Sequence, residues 1–363
     1  MTVSIVRATL DDVAAKVAEA LDLIGYRCQR EAVFIKPNVP DAGPPDRGLF
    51  TDPRVVEGLL QYFAGRPVVI GEGGIVGRDS MAALERTGYG DLARRYGAEL
   101  VDLKTVERDE VEWEFGTIQL PTLLRTHEYV DVAKLKTHIQ TGVTLGLKNQ
   151  KGLLRDADKR RFHRQGLHAC IRALGQVARP ALTIIDGIVA LEGNGPWRWG
   201  QPKEVGLLLA GDDVVKVDNV GRQVMGFGPE HAPHIPPHDD VHVVGLSVEE
   251  AQTPFAFDWP GYFVYKNVYE YISDSCSGCN LSMYLATKKL INASRWRRLK
   301  FLYRGVWRRL DVVAGHAHDL DGLPPGHGKV VCVGDCAREY AERHRLPIVR
   351  GCPPAPEDIV ALL

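Results

Sequence analysis

The chain has 363 residues, of which 45% are hydrophobic and 25% are charged, so it is long enough to form two or three domains. A formal net charge of −1 gives no reason to expect nucleic-acid binding, and no apolar run approaches the roughly 18 residues of a membrane span. The N-terminus lacks the basic-then-apolar pattern of a signal peptide, so we expect a cytoplasmic protein with reduced cysteines.

Predicted strands and helices alternate through the first two thirds of the chain. Apolar residues recur either at helical spacing or in short buried runs that end in polar or glycine-rich segments. In chain order, this pattern predicts a helix over 10–27, a strand over 32–35, a helix over 53–64, and strands over 68–70, 128–133, 181–185 and 205–210. The alternation is typical of an α/β protein whose sheet is mainly parallel.

Polar residues follow several of these predicted strands, at the sheet edge where α/β proteins form their binding crevice. We expect His138 to exchange protons, since it titrates near neutrality, with Lys136 and Glu72 as its catalytic neighbours. Lysines in this crevice would clamp a carboxylate or a phosphate, so the predicted substrate is a small anion. The predicted substrate-binding residues are Lys36, Asn38, Lys134, Lys148, Asn149, His163, Asp186, Glu192 and Asn194. The alternative is that the carboxylates only pair with lysines or cap helices.

Most of these residues lie in five short motifs: I-K-P-N, G-E-G-G, K-x-K-T-H, T-x-G-L-K-N-x-K-G and D-G-I-x-x-x-E-G-N-G-P. Together the motifs resemble the domain of unknown function 362 family over about residues 30–230. The resemblance implies a shared fold and an association with iron–sulfur clusters, without a general reaction. The G-E-G-G segment does not match the G-x-G-x-x-G pattern of dinucleotide-binding loops, so a nicotinamide or flavin cofactor is not expected.

Six prolines between 229 and 262 predict an irregular connection between two domains. Four histidines in this stretch have irregular spacing, and we expect them at the surface rather than in a metal site: His231, His234, His238 and His242.

Four cysteines lie in three short segments near the end of the chain. Thiolates select zinc, copper(I) or iron–sulfur clusters, and zinc is the minor alternative because only the first two cysteines form a close pair. The segments C-x-G-C, G-x-C-A and G-C-P-P-x-P-E resemble the proximal-cluster domain of nickel–iron hydrogenase small subunits and the cluster subunit of respiratory complex I. The resemblance implies that the ligands of one [4Fe-4S] cluster are Cys276, Cys279, Cys336 and Cys352. Cys332 lies in an apolar run and is expected in the core.

Basic residues alternate with aromatic residues between Arg295 and Arg309. Beside a cluster, this segment favours docking of an acidic, ferredoxin-like electron donor. The alternative is an amphipathic helix that packs its aromatic side chains inward. Binding to nucleic acid or to a membrane surface is less favoured.

The sequence therefore predicts an α/β substrate domain over 1–228, a connection over 229–262 and a smaller α/β cluster domain over 263–363. The predicted function is a cytoplasmic [4Fe-4S] oxidoreductase that receives electrons from a ferredoxin-like donor and acts on a small anion bound next to the cluster. One alternative is a non-catalytic electron-transfer or accessory protein. Another is a non-redox lyase or desulfurase that uses iron as a Lewis acid, although four cysteine ligands would leave no open coordination position.

Overall fold

The computed structural model describes residues 2–43, 47–196, 200–238, 240–257, 267–271, 275, 277–291, 299, 303, 308–317 and 320–362. The chain divides into two compact units, Met1–Asp258 (the first unit) and Trp259–Leu363 (the second unit).

The strands of the first unit are β1 (Thr2–Arg7), β2 (Val33–Pro37), β3 (Val68–Glu72), β4 (Glu99–Asp102), β5 (Arg108–Trp113), β6 (Gly116–Pro121), β7 (Glu128–His138), β8 (Gly142–Thr144), β9 (Leu182–Gly193), β10 (Gly200–Gly211) and β11 (His242–Gly245). Its α-helices are α1 (Val13–Leu23), α2 (Pro53–Tyr62), α3 (Ser80–Arg86), α4 (Tyr89–Tyr96), α5 (Leu123–Thr126), α6 (Gly146–Asn149), α7 (Asp156–Gln165), α8 (Leu167–Val177), α9 (Val214–Val224) and α10 (Val248–Ala251). Short 3₁₀ helices cover Gln150–Leu153 and Pro229–His231.

A nine-stranded sheet forms the centre of the first unit, in the order β11-β1-β10-β9-β7-β2-β3-β4, with β8 paired to β7. Strands β9, β7, β2, β3 and β4 run parallel to one another, and β1 is parallel to β11. Strand β10 is antiparallel to both β1 and β9. Strands β5 and β6 form a separate antiparallel hairpin.

Alternating side chains of the central strands divide between two hydrophobic clusters. Phe34 and Tyr129 stack in one cluster, whereas Val33 and Ile35 belong to the other. Because β2 and β7 are buried along their whole length, helices and loops must cover both faces of the sheet.

The second unit has its own parallel sheet, in the order β12 (Val268–Tyr271), β13 (Leu310–Ala314), β14 (Lys329–Val333), β15 (Ile348–Val349). Its helices are α11 (Ser277–Ile291), α12 (Arg338–His344) and α13 (Pro356–Leu362), with a 3₁₀ turn at Asp335–Ala337. The predicted α/β class with a mainly parallel sheet is therefore confirmed. Among the helices of the described residues, none is long and apolar enough to cross a membrane.

Two strands extend beyond their predicted ends. β7 continues to His138 because β8 pairs with its last residues, Lys136 opposite Thr144 and His138 opposite Gly142. β9 continues to Gly193 because β10 pairs along it. Most of the polar residues predicted to lie beyond these two strands therefore lie within them.

The proline-rich segment is part of the first unit as far as residue 257, where its description ends. Its strand β11 pairs in parallel with β1, so this part of the chain returns to the edge of the large sheet. His234 in this segment is fully buried, and the prediction that it lies at the surface is wrong. Ala232 and Ile235, both buried, fold this stretch inward.

Candidate functional site

Lys36 and Glu72 form a buried ion pair at the ends of β2 and β3. The Lys36 ammonium lies 3.0 Å from the Glu72 carboxylate, and the two side chains are 0% and 3% exposed. That carboxylate also accepts backbone hydrogen bonds from Val39 (3.1 Å), Gly73 (2.7 Å) and Gly74 (3.1 Å). The charge of Glu72 is thus satisfied by the protein itself, as a buried carboxylate requires.

Asn149 links this pair to β7. Its Oδ1 atom accepts hydrogen bonds from Lys36 (3.1 Å) and from the Asn38 amide (2.8 Å), and its Nδ2 atom donates to Asp131 (2.8 Å). Asp131, which the sequence analysis missed, lies opposite Lys36 in the sheet and is fully buried. Burial raises the pKa of Asp131 to about 7.

Lys134 and Asp186 form a second buried ion pair, 2.7 Å apart, with side chains 2% and 0% exposed. Asp186 also accepts hydrogen bonds from the backbone N–H groups of Asp52 (2.8 Å) and Ile188 (3.1 Å). Thr51 and Asp52, which precede α2, connect the two ion pairs. Thr51 accepts a hydrogen bond from the backbone of Asn38 (3.0 Å), and the next residue, Asp52, donates to Asp186. We call these joined side chains the polar network: Lys36, Asn38, Glu72, Asp131, Lys134, Asn149 and Asp186.

Gly152 packs directly against the first pair. A Cβ atom at this position would lie 2.1 Å from Glu72 Oε1 and 2.5 Å from Lys36 Nζ, so any larger residue would displace the ion pair. Lys159 of α7 closes the same region by donating to the carbonyl groups of Gly73 (2.7 Å) and Gly74 (2.8 Å). Burial lowers the pKa of Lys159 to about 7. The sequence analysis also missed Lys159.

Lys136 and His138 are both buried, at 1% and 2% exposure. The Lys136 ammonium donates to the carbonyl of Leu49 (2.7 Å), and burial together with Lys148 and Lys134 holds its pKa well below the usual value. Burial, Lys148 and Lys136 likewise hold the pKa of His138 well below its usual value. Nδ1 of His138 accepts a hydrogen bond from the backbone of Gln140 (3.2 Å), so the neutral imidazole carries its proton on Nε2.

Lys148 in α6 lies among several ionisable groups. Burial and the charge of Lys36 lower its pKa to about 8. Lys148 in turn is one of the charges that lower the pKa of His138, His168 and His234. His168 and His234 lie with their Nδ1 atoms 3.2 Å apart. Neither of these two histidines was predicted to belong to the site.

Three predicted binding residues lie outside the polar network. His163 lies 3.2 Å from the Lys151 ammonium. Glu192 accepts from Lys203 (2.8 Å) and from the backbone of Ala256 (3.0 Å), and this pair is partly exposed. Asn194 follows β9 and is partly exposed. Glu192 was predicted either to bind substrate or only to pair with a lysine, and its contact with Lys203 agrees with the second interpretation.

Cysteine-bearing segments of the second unit meet at Gly334. A Cβ atom on Gly334 would lie only 2.8 Å from Cys279 Sγ and 3.8 Å from the carbonyl of Gly351, the residue before Cys352. Cys336 follows Gly334 by two residues. Three of the four predicted ligands therefore come from segments in contact, and Cys276 lies outside the described residues.

Hydrogen bonds hold two of these segments together. The backbone N–H of Asp335 donates to the carbonyl of Gly351 (3.0 Å), and Gly334 donates to Val349 (2.8 Å). The Asp335 carboxylate accepts from Arg350 (2.7 Å) and from the backbone of Gly351 (3.2 Å). Cys332 is buried in the core, and burial raises its thiol pKa to about 12.

No group of three or more His, Cys, Asp or Glu side chains within the described part of the chain is arranged to hold a metal ion. The predicted ligand set includes Cys276, which that part leaves out. The cysteines that are described fit a cluster by their chemistry, since thiolates are the usual cluster ligands, and the segments that carry them meet at Gly334.

The predicted donor-docking segment is described only in part. Of its residues, Leu299 and Tyr303 are exposed, at 48% and 60%. The Arg309 guanidinium pairs with Asp311 (2.8 Å) and lies over the ring of Tyr269, 4.0 Å from its centre. The other residues of this segment, Arg308 excepted, lie outside the described residues.

The family model described as "Domain of unknown function (DUF362)" matches residues 33–223, more than half of the chain. Thylakoid-associated protein sll1697 of Synechocystis sp. is 29% identical over 247 residues, which cover 65% of this chain and 75% of that protein. The family match runs from β2 into α9, so it includes the whole polar network and ends before the cysteine-bearing unit.

Proposed function

The chain belongs to the domain of unknown function 362 family, and on this premise we propose that it is an iron–sulfur oxidoreductase that reduces a small anionic substrate. The observation that supports the proposal most is the contact of Cys279 Sγ with Gly334, which brings one cysteine segment against the segments that carry Cys336 and Cys352. A convergence of cysteine-bearing segments suits a shared metal centre.

In this proposal, the cluster ligands are Cys276, Cys279, Cys336 and Cys352, and a bound [4Fe-4S] cluster would supply single electrons. The protein's own contribution is to fix the ligands. Asp335 ties the Cys336 segment to the Cys352 segment through Arg350 and the backbone of Gly351.

Two buried or partly buried lysines of the first unit support the proposal that the substrate is an anion. Lys36 and Lys134 each pair with a carboxylate, whereas Lys136 and Lys148 have no ion-pair partner among the described residues. A carboxylate or phosphate bound beside them would offset this excess of positive charge. The Nε2–H of neutral His138 would donate a hydrogen bond to an oxygen of the substrate.

A cytoplasmic location and an acidic, ferredoxin-like donor that docks near Arg295–Arg309 complete the proposal. The relative in Synechocystis is named for its association with thylakoids, so association with a membrane surface is the alternative location. Fractionation of cells into soluble and membrane pools decides between the two locations.

Iron content of seven cysteine-to-serine variants, purified without oxygen, tests the proposed cofactor. We expect substitution of Cys276, Cys279, Cys336 or Cys352 to remove or convert the cluster. The matched controls are Cys28→Ser, Cys170→Ser and Cys332→Ser, which should retain iron. Equal iron in all seven variants, or zinc in place of iron, would contradict the proposal.

A further inference from the structure

Lys148 differs in two ways from the buried lysines around it. Lys36, Lys134, Lys136 and Lys159 are buried, whereas Lys148 is partly exposed. Each of those four ammonium groups donates a hydrogen bond to a carboxylate, an amide or a backbone carbonyl. Lys148 has neither a hydrogen bond nor an ion pair with any residue that the structure describes. Its amino group is therefore the one among these five that has no acceptor among the described residues.

The backbone that carries Lys148 is firmly held. The Asp218 carboxylate accepts hydrogen bonds from the first two N–H groups of α6, at Gly146 (2.7 Å) and Leu147 (2.8 Å). On the other side, Asn149 is fixed within the polar network. Every residue from Thr144 to Gln150 is buried except Lys148. A reactive group on a rigid backbone is presented in a defined direction, as covalent catalysis requires.

We propose that Lys148 is a nucleophile that forms an imine with the carbonyl carbon of an anionic carbonyl compound, such as a 2-oxo acid. The proposal rests on the function proposed above only in taking this crevice as the substrate site. It names the substrate class: an anion that also carries an aldehyde or ketone group.

The chemistry balances without an oxidant or a reductant. The lone pair of the Lys148 amine attacks the carbonyl carbon, a C–N bond forms, and a proton moves from nitrogen to oxygen. The C–O bond then breaks, the hydroxyl leaves as water with the remaining proton of the nitrogen, and the C=N bond forms. Lysines nearby would hold the carboxylate of the same substrate while its carbonyl faces Lys148.

The surroundings of Lys148 favour its neutral, nucleophilic form. Its pKa of about 8 leaves roughly a tenth of the amine unprotonated at pH 7. One carboxylate, Glu72, acts in the opposite direction. The ionisable groups that interact with Lys148 are Lys36 of β2, Glu72 of β3, Lys136 and His138 of β7, His168 of α8, and His234.

Borohydride trapping tests this proposal on the full-length protein. The protein is incubated without oxygen with glyoxylate, the smallest 2-oxo acid, then reduced with sodium borohydride and analysed by intact mass and peptide mapping. We expect a single adduct on Lys148 whose rate of formation rises with pH to a midpoint near 8. Oxalate, an anion without an electrophilic aldehyde, should give none.

Three variants make the result specific. Lys148→Met and Lys148→Arg should lose the adduct, and the arginine variant keeps a positive charge if the methionine variant fails to fold. Lys104→Met is the matched control and should keep the adduct, because the Lys104 ammonium is already held by the carbonyl groups of Ile75 and Arg78 and by the Asp156 carboxylate. No adduct, an adduct spread over several lysines, or one that persists without Lys148 would overturn the proposal.

The trapping result is separable from the proposed redox function. Imine formation needs no electrons, so the Cys279→Ser variant should form the adduct as the unaltered protein does. Iron without an adduct would remove the imine and leave the proposed cluster standing. An adduct without iron would remove the proposed cluster and leave the imine standing.

Discussion

The two units hold their reactive side chains in place by different means. In the first unit, each of the buried lysines Lys36 and Lys134 meets a carboxylate that also accepts backbone N–H groups. In the second unit, cysteine segments meet around Gly334, and backbone bonds hold two of them together. The buried ion pairs of the first unit are satisfied within the protein, whereas the proposed metal centre would be needed to join the cysteines of the second unit.

The first unit should therefore depend most on its buried ion pairs. Lys134→Met leaves Asp186 charged and buried, and we expect it to lower the free energy of unfolding by about 3–5 kcal/mol. Lys203→Met is the control, since its pair with Glu192 is partly exposed, and it should cost about 0–1 kcal/mol. Urea unfolding curves measure both. Equal losses would show that burial of the first pair does not matter.

Asp131 should make the first unit less stable as pH rises. Its folded pKa of about 7 lies above the unfolded value, so the folded state binds the proton more tightly and stability falls between about pH 4 and pH 7. Asp131→Asn removes this titration. We expect the variant to gain on the order of 2–4 kcal/mol relative to the unaltered protein between pH 4 and pH 8. A difference that stays constant with pH would contradict this assignment.

Gly334→Ala tests whether the meeting of the cysteine segments in the second unit holds the proposed metal centre. Its Cβ would meet Cys279 Sγ at 2.8 Å, so we expect iron content to fall along with a loss of about 1–3 kcal/mol from the positive φ of 88°. Gly326→Ala is the matched control, because Gly326 also has a positive φ, 65°, but its Cβ would meet only the flexible Arg309 side chain. The control should keep its iron. Full iron in both variants would show that this contact does not position the cysteine.

Lys136→Met should change stability less than the substitutions at Lys134, Asp131 and Gly334. Its ammonium makes one described hydrogen bond, to a backbone carbonyl, so the free energy of unfolding should change by less than about 1.5 kcal/mol. Affinity for the anion should nevertheless fall roughly 10- to 100-fold, because that is the change in the dissociation constant expected when a hydrogen bond from a charged group is lost. Calorimetric titration with small dicarboxylates and phosphate measures it, with Lys104→Met as the control. Unchanged affinity would remove Lys136 from the site.

Continuous apolar runs made the central strands of the fold predictable. Ala32–Ile35 and Val68–Ile70 read as buried strands because both faces of a parallel sheet are covered. The two strands at the β11 end of the sheet were harder to predict. β1 and β11 pair across more than two hundred residues of sequence, and such long-range pairing leaves no local pattern.

The candidate site was predictable where polar residues follow apolar strands, as with Lys36 and Glu72. Asp131 was missed because it lies inside the apolar strand 128–133, although a carboxylate in such a run is itself a signal. Lys159 was missed because α7 is highly charged, and only its spacing of three from buried Phe162 marks the inward face. His234 was missed because proline-rich segments are usually exposed, and its burial depends on tertiary packing.

Electron paramagnetic resonance of the protein purified without oxygen, before and after dithionite, tests the central claim most directly when combined with iron and sulfide analysis. The proposed cluster predicts about four irons per chain and a spin-half signal that appears on reduction. Zinc without iron, or a protein that contains neither metal, would contradict the iron–sulfur oxidoreductase.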